Sequence, residues 1–313
     1  MSRPPAVVAL GGGHGLAASL AALRLVTDRI TAVVTVADDG GSSGRLRDAF
    51  GVLPTGALRM ALAALCDDTA WGHQWRDVLQ HRFPGEGQLG GHAVGNLLIV
   101  SLWDLLGDTV GGLDLVGRLL NARGRVLPMA AVPLTIEASV MAADPAQPCE
   151  ITIGRVQAEV ATTPGRVLSV RLNPEEPPAC DQAVAAIHAA DWVILGPGSW
   201  FTSVIPHLLV PGVHDALIQT PARRVLTLNL VMHTGETVGF SATNHLEVLA
   251  VHAPELHLDV VLADPDIVED EALLRRVARD MGAELVLARV GDSGRQGHHD
   301  SLRLAAAYRD IIG

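Results

Sequence analysis

Apolar residues run unbroken through Ala6-Val-Val-Ala-Leu10, stop at Gly11-Gly12-Gly13-His14-Gly15, and recur at helical spacing from about Leu16 to Leu25. A second apolar run, Ile30 to Val36, ends in Ala37-Asp38-Asp39-Gly40-Gly41-Ser42-Ser43-Gly44. Unbroken apolar runs suit strands buried on both faces. Strand, glycine turn, helix and strand within about thirty residues predict the first unit of a doubly wound parallel sheet. From about Ala57 to Val126 the period is helical, through Leu58, Leu62 and Leu65, then Val94, Leu98, Leu102 and Leu106, then Leu113, Val116 and Leu120. Between about Val132 and Leu172 it switches to alternation, in Thr135–Val140, Glu150–Ile153, Gln157–Val160 and Val167–Arg171, which predicts antiparallel ribbon. Beyond Pro177-Pro178 the first rhythm returns: a helix over Gln182–Ala189, a strand over Trp192–Leu195, and the loop Gly196-Pro197-Gly198-Ser199. Further strands are predicted at Val225–Asn229, Leu258–Leu262 and Leu285–Ala288.

The expected architecture is therefore α/β: one Rossmann-like domain over 1–313, with a doubly wound, mostly parallel sheet. A helical segment (57–130) and an antiparallel β insertion (131–172) form its cap.

Composition narrows the function. The hydrophobic fraction, 49% against 18% charged, places the chain among folded proteins, and with 3% aromatics the core must be aliphatic. A formal charge of -11 and the lack of any basic run beyond Arg223-Arg224 or Arg275-Arg276 argue against a nucleic-acid partner. All 23 basic residues are arginines. That removes both the phosphate-binding lysine of a P-loop and Schiff-base chemistry. Cys66, Cys149 and Cys180 lie far apart, with neither zinc spacing nor a disulfide framework. No apolar stretch approaches membrane length or forms a signal-peptide core, so a cytoplasmic protein without membrane insertion is expected. The histidines lack ligand spacing, and neither a nucleophile elbow nor a local Cys-His motif occurs. Metal ligation by histidine and covalent catalysis thus have no support in the sequence.

What remains is anion chemistry on glycine loops. Gly11, Gly12, Gly13 and Gly15 sit between a strand and a helix, where bare backbone can approach a phosphate and the helix N-terminus attracts it. His14 is placed either to donate to that phosphate or to face solvent. The Gly196–Ser199 loop has the same context, and hydroxyls follow at Ser199, Thr202 and Ser203. Two such loops at adjacent strand ends would flank the crevice where doubly wound sheets bind ligands. The expectation is that their amides converge on one diphosphate. Asp38 and Asp39 end the second strand, where an acid reaches a ribose hydroxyl; a divalent cation on the pair is the weaker alternative. Ser42, Ser43, Arg45 and Arg47 follow, either as a phosphate clamp or as the start of a helix.

Five segments together resemble one family over nearly the whole chain. They are Ala9–Leu16, Val34–Arg47 with its Ala-Asp-Asp-Gly-Gly-Ser-Ser-Gly-Arg-Leu-Arg block, Gly95-Asn96-Leu97, Leu195–Ser199 with Thr202–Pro206, and Gly235-Glu236-Thr237. The family is YvcK: bacterial proteins called gluconeogenesis factors, relatives of CofD, the 2-phospho-L-lactate transferase of deazaflavin coenzyme synthesis. The resemblance implies a cytoplasmic Rossmann-like protein that binds a UDP-sugar or similar nucleotide, with NAD or GDP as lesser candidates. It also implies a role in cell-wall and cell-shape control on gluconeogenic carbon sources. Carried over by motif, Gly11 to Gly15, Asp38, Asp39, Ser42, Ser43, Asn96, Gly196, Gly198, Ser199 and Asn229 form the expected ligand shell.

Two departures stand out. The family's Pro-Pro-Gly-Asp before an Arg reads Pro54-Thr55-Gly56-Ala57-Leu58-Arg59 here, so a methyl group replaces a carboxylate. Its Pro-Gly-Glu-Thr reads Thr234-Gly235-Glu236-Thr237 after Met232-His233. Nucleotide binding survives both changes, whereas transfer chemistry is weakened. The expectation is a regulatory nucleotide binder without turnover. A CofD-like transferase, with magnesium on Asp38 and Asp39 and phosphate on Arg45 or Arg59, is the alternative. An NAD-dependent oxidoreductase ranks third. A homo-oligomer stays open.

Overall fold

The computed structural model describes residues 3–141, 151–154, 166–231, 235–237 and 239–313. Seven parallel strands make the central sheet: β1 (Val7–Gly11), β2 (Ile30–Val34), β3 (Arg125–Pro128), β7 (Trp192–Leu195), β8 (Arg223–Thr227), β9 (Val260–Ala263) and β10 (Glu284–Leu287). Their order is β10-β9-β8-β7-β1-β2-β3. The chain therefore leaves β1 towards β2 and β3 on one side and later returns to build β7 to β10 on the other. The reversal falls between β1 and β7, paired in register from Val7↔Trp192 to Leu10↔Leu195. β1 and β7 are buried along their whole length, as their unbroken apolar runs require.

The helices are α1 (Gly13–Leu23), α2 (Gly41–Phe50), α3 (Gly56–Leu65), α4 (Ala70–Gln80), α5 (Val94–Leu106), α6 (Thr109–Leu119), α7 (Asp181–His188), α8 (Ile205–Leu208), α9 (Pro211–Gln219), α10 (Ala242–His252), α11 (Glu271–Asp280) and α12 (Ser301–Ile312). A π-helical turn, Trp200–Val204, leads into α8. A three-stranded antiparallel sheet in the order β5-β4-β6 joins Ile151–Gly154 (β5), Thr135–Met141 (β4) and Arg166–Asn173 (β6). This is the ribbon that alternation predicts. The run Gln157–Val160 lies outside the described residues.

Two points of comparison with the sequence reading bear on the site. Ser42 to Arg47, left open between a phosphate clamp and a helix start, lie in the helix α2. The end of the region read as helical is β3, the edge strand of the sheet beside β2. Its Val126 and Leu127 are buried, and an edge strand this short carries too few positions to show a period.

How the helices begin divides them into groups. Thr69, Asp108, Ser241, Asp270 and Asp300 accept backbone N–H groups in the first turns of α4, α6, α10, α11 and α12. α8 and α9 open with proline in the first turn, and α7 carries Asp181 there. By contrast α1, α2, α3 and α5 have neither a side-chain cap nor an acidic residue in the first turn. No single helix among the described residues is long and apolar enough to cross a membrane.

Candidate functional site

A helix leaves its first N–H groups without intrahelical partners and carries partial positive charge at that end. The four helices whose first turns carry no cap, no acidic residue and no proline bring those turns to the same place. One cavity of about 370 Å³ is lined by Gly12 to Gly15 of the α1 start, Gly40 to Ser43 of α2, Gly56, Ala57 and Arg59 of α3, and Asn96 of α5. It lies at the carboxyl ends of β1 and β2, beside the point where the strand order reverses.

α1 and α2 open in the same way. Gly12 and Gly40 are extended, at φ -161° and -94°, and each is followed by a left-handed glycine, Gly13 at φ +56° and Gly41 at +53°. A side chain at either second position would be strained. The pair thus presents two bare backbone turns on one cavity. α5 is partly closed, since Val94 N–H donates to His81 O at 2.9 Å.

The second glycine loop does something else. Gly196 N–H donates to Leu10 O (3.1 Å), Gly198 N–H to Asn229 Oδ1 (2.8 Å) and Phe201 N–H to Glu236 Oε1 (3.2 Å). Asn229 Nδ2 returns a bond to Gly198 O at 2.8 Å. The N-terminus of the helical segment that follows is therefore met by a protein carboxylate. The amides of Gly196, Gly198 and Phe201 are thus bonded within the protein, and of this loop Ser199 is the residue that lines the cavity. The second loop is a scaffold packed against the first: a Cβ on Gly15 would overlap Pro197 O and lie 2.6 Å from Gly198 Cα. The partner of the first loop in framing the cavity is the start of α2.

Side chains complete the lining. Asp38 Oδ1 accepts Gly40 N–H at 3.0 Å. Burial raises the Asp38 pKa, and nearby Asp39 adds to this, against the opposing pull of Gly40 N–H, Ser43 and Arg47. Ser42 Oγ accepts from Asn96 Nδ2 (3.0 Å), which leaves its proton for His92 Nδ1 (3.0 Å). Burial, then Arg45 and Arg82, hold His92 below its ordinary pKa and so neutral. Asn96 Oδ1 in turn accepts Arg59 Nε–H at 2.9 Å.

Arg59 is the charged residue on this cavity whose bonding capacity is unmet. It is 4% exposed, and its Nη1 has no hydrogen-bond partner. No described carboxylate pairs with it, although nine other ion pairs form across the described residues. Burial, with Arg82 nearby, lowers its pKa to about 10, which leaves it cationic at neutral pH. Thr35 Oγ1, on the same cavity, is also buried without a partner. Buried donors without partners are rare in folded proteins. A guanidinium and a hydroxyl on one cavity wall suit an oxyanion.

The expected residues distribute unevenly. Gly12, Gly13, His14, Gly15, Asp38, Ser42, Ser43, Asn96 and Ser199 line the cavity. His14, Gly15 and Ser199 also border a smaller cavity of about 190 Å³, with Gly198 and Asn229 on its wall and His298 and His299 opposite. Gly11, Asp39, Arg45 and Gly196 line neither. Arg45 Nη2 donates instead to Gly90 O at 2.7 Å. Among the described residues no group of three or more His, Cys, Asp or Glu is placed to hold a metal. Ala57 lines the cavity, so the family's missing carboxylate would have stood on this wall. Met232 to Thr234 lie outside the described residues.

Glu236, Arg82 and Thr35 were not singled out as site residues by the sequence reading, and Arg59 entered only through the transferase alternative. Arg59 had a signal: it is the lone charge in the otherwise apolar helix Gly-Ala-Leu-Arg-Met-Ala-Leu-Ala-Ala-Leu.

Comparison with known proteins identifies the family. Residues 7–291 match the family model described as 2-phospho-L-lactate transferase CofD. The chain is 36% identical over 274 residues to the "Gluconeogenesis factor" of Bacillus subtilis, covering 87% of this chain and 82% of that protein. A Mycobacterium tuberculosis protein that carries the same description in provisional form is 54% identical, across 97% of this chain and 90% of its own length. A crystal structure of a Bacillus halodurans protein superposes with a TM-score of 0.85 at 30% identity, covering 99% of both chains. The chain therefore belongs to the CofD family, in the YvcK group of gluconeogenesis factors.

Proposed function

We propose that this chain is a regulatory protein that binds a nucleotide diphosphate of the UDP-sugar class and acts in the cytoplasm during gluconeogenic growth, with effects on cell-wall metabolism and cell shape. One observation carries the binding part: helix starts free of caps and acidic residues meet on one cavity beside a buried arginine with no carboxylate. The diphosphate would lie across the first turns of α1 and α2, with Arg59 neutralising its charge. Asp38, on the same cavity, would accept a hydrogen bond from a sugar hydroxyl. The ridge formed by His14, Gly15 and Ser199 joins the two cavities, which gives an elongated ligand room on both sides. The physiological part rests on the family, and fold kinship alone is weak support for function.

Thermal unfolding in the presence of UDP, UDP-glucose, GDP and NAD tests the binding. A ligand at a hundred times its dissociation constant should stabilise the protein by about 2.7 kcal/mol. The reading predicts the largest shift with the uridine nucleotides. No shift with any of the four would overturn it.

A second reading follows from the family description: transfer of a phospho-group from a nucleotide donor to an acceptor alcohol. Asp38 is the single carboxylate lining the cavity among the described residues, so the protein offers no cage for magnesium, and an ion here would have to come with the ligand's phosphates. Ala57 supplies no acid or base. If the fold retains transfer capacity, Ala57→Asp should release nucleotide from a donor when magnesium and an acceptor alcohol are supplied. Absence of release from both proteins removes this reading.

A further inference from the structure

A second compartment adjoins the nucleotide cavity. It is a groove of about 470 Å³ between α1, α3 and α4, lined by His14, Ala17, Arg59, Met60, Ala63, Ala64, Arg76, Gln80 and Arg82. His14, Arg59, Met60 and Arg82 border both spaces, so the two are contiguous. Its composition is unusual for a chain of formal charge -11: three arginines line it, and no aspartate or glutamate does. Ala17, Met60, Ala63 and Ala64 give the wall an apolar part, and His14 and Gln80 add two neutral polar groups.

The arginines are not equivalent. Arg76 reaches Asp77 on its own helix at 3.2 Å, and the pair is exposed. Arg82 donates one bond, Nη1 to Gly91 O at 2.8 Å. Arg59 is more than nine-tenths buried, spends Nε on Asn96, and leaves Nη1 without a partner. Like charges gathered on a carboxylate-free wall raise one another's energy until a counter-charge arrives. A guanidinium fork suits a planar carboxylate or a phosphate oxygen pair, and an apolar wall suits a hydrocarbon body.

From this arrangement we propose that the groove is a second, anion-selective compartment, which receives a carboxylate or phosphomonoester carried on an apolar body next to the bound nucleotide. The acid has two sources in principle: the far end of the nucleotide-linked ligand, or a separate small molecule. The inference rests on the nucleotide reading for the position of its neighbour and shares Arg59 with it, whereas Arg76 lines the groove alone.

The test uses the full chain and titration calorimetry with phenyl phosphate and phenol, first alone and then with UDP-glucose present. Phenyl phosphate should bind about tenfold or more tightly than phenol, from the charge-assisted bonds to the arginines. Arg76→Ala, at the solvent edge, should remove part of that preference while leaving UDP binding unchanged. Arg59→Gln should remove most of it, with circular dichroism confirming the fold. If the acid belongs to the nucleotide ligand, UDP-glucuronate outcompetes UDP-glucose and phenyl phosphate displaces it; if it is separate, phenyl phosphate binds beside UDP-glucose. Either result supports the compartment when Arg76→Ala weakens it; displacement that Arg76→Ala leaves unchanged puts phenyl phosphate in the diphosphate's place and overturns the compartment. Phenyl phosphate binding no better than phenol, or binding indifferent to both substitutions, overturns it. UDP failing to bind while phenyl phosphate binds as expected would remove the nucleotide reading and leave this one standing.

Discussion

Glu236 shows how much one buried carboxyl can bias this site. It is 2% exposed, and burial pushes its pKa up to about 7, even though Phe201 N–H donates to it. In the unfolded chain the same group titrates near 4.5. The folded state therefore holds more protons between those values, so Glu236 costs stability as pH rises from about 4.5 to 7, and the full cost persists above that. Replacement by Gln removes the charge and keeps an oxygen for Phe201. Glu236→Gln should be more stable than the parent at pH 8 by roughly 1–3 kcal/mol, with the difference vanishing near pH 5. Urea unfolding at the two pH values reads this directly. Equal stability at pH 8 would show that Glu236 is already neutralised by something else.

The histidines pull the other way. His207 donates Nε2–H to Val33 O at 3.1 Å, and burial holds its pKa down to about 4; His299 is lowered to about 4, also chiefly by burial. For both, the unfolded chain takes up protons first as pH falls below about 6.5, so folding loses stability between 6.5 and 4. In the Glu236→Gln protein the opposing carboxyl is gone. Its stability should fall steadily across that interval, by more than the parent's does. A flat profile would mean that these imidazoles are protonated in the folded state as readily as in water.

At the scale of elements, the first loop and α2 work through glycines that fail in different ways. Ala at Gly15 meets Pro197 O and Gly198 Cα, so the two loops must separate, a packing conflict of about 1–3 kcal/mol or more. Ala at Gly41 meets nothing within 4 Å, but the φ of +53° is unfavourable for any L side chain, at about 1–3 kcal/mol. Both substitutions should lower the urea midpoint. Both should also weaken UDP binding, because each turns first-turn amides away from the cavity. A Gly41→Ala protein that is less stable yet binds UDP as before would show that α2 takes no part in the cradle.

The same two elements mark where the sequence could be read and where it could not. The strand before the first loop and the helix after it were legible, because five consecutive apolar residues and a following helical period are local signals. α2 stayed one of two alternatives, since Gly40 and Gly41 replace the Ser, Thr or Asp that announces a helix start, and its mean pattern is polar. The absence of a cap is what opens the site to an anion, so the feature that makes α2 functional also hides it. The second loop was legible as a glycine turn, but its bonding was not. Gly-Pro-Gly-Ser after a buried strand has the look of a phosphate turn, and only the fold brings Asn229 and Glu236 to occupy its amides.

For the molecule as a whole, strand order decides what the residues can do. Because β1 lies between β2 and β7, α1 starts at the reversal point, and its position depends on what packs behind it. The C-terminal helix supplies part of that backing. Tyr308 of α12 is fully buried, with its hydroxyl 2.9 Å from Ser19 Oγ of α1 and 3.1 Å from Thr227 Oγ1 at the end of β8. One phenol thus ties the last helix, the first helix and the centre of the sheet. Burial raises its pKa to about 12, so it remains a neutral hydroxyl at any physiological pH, and the latch does not titrate. Tyr308→Phe keeps the ring and strands two hydroxyls, which should cost about 1–3 kcal/mol of stability. The cradle amides lie at the opposite end of α1 from the loop that follows Leu23, and the first loop is separately held by the 196–199 scaffold. UDP affinity measured well below the melting temperature should therefore stay within a few-fold of the parent. A large loss of affinity with little loss of stability would mean that the latch sets the angle of α1 over the cavity, and that the C-terminal helix belongs to the binding machinery.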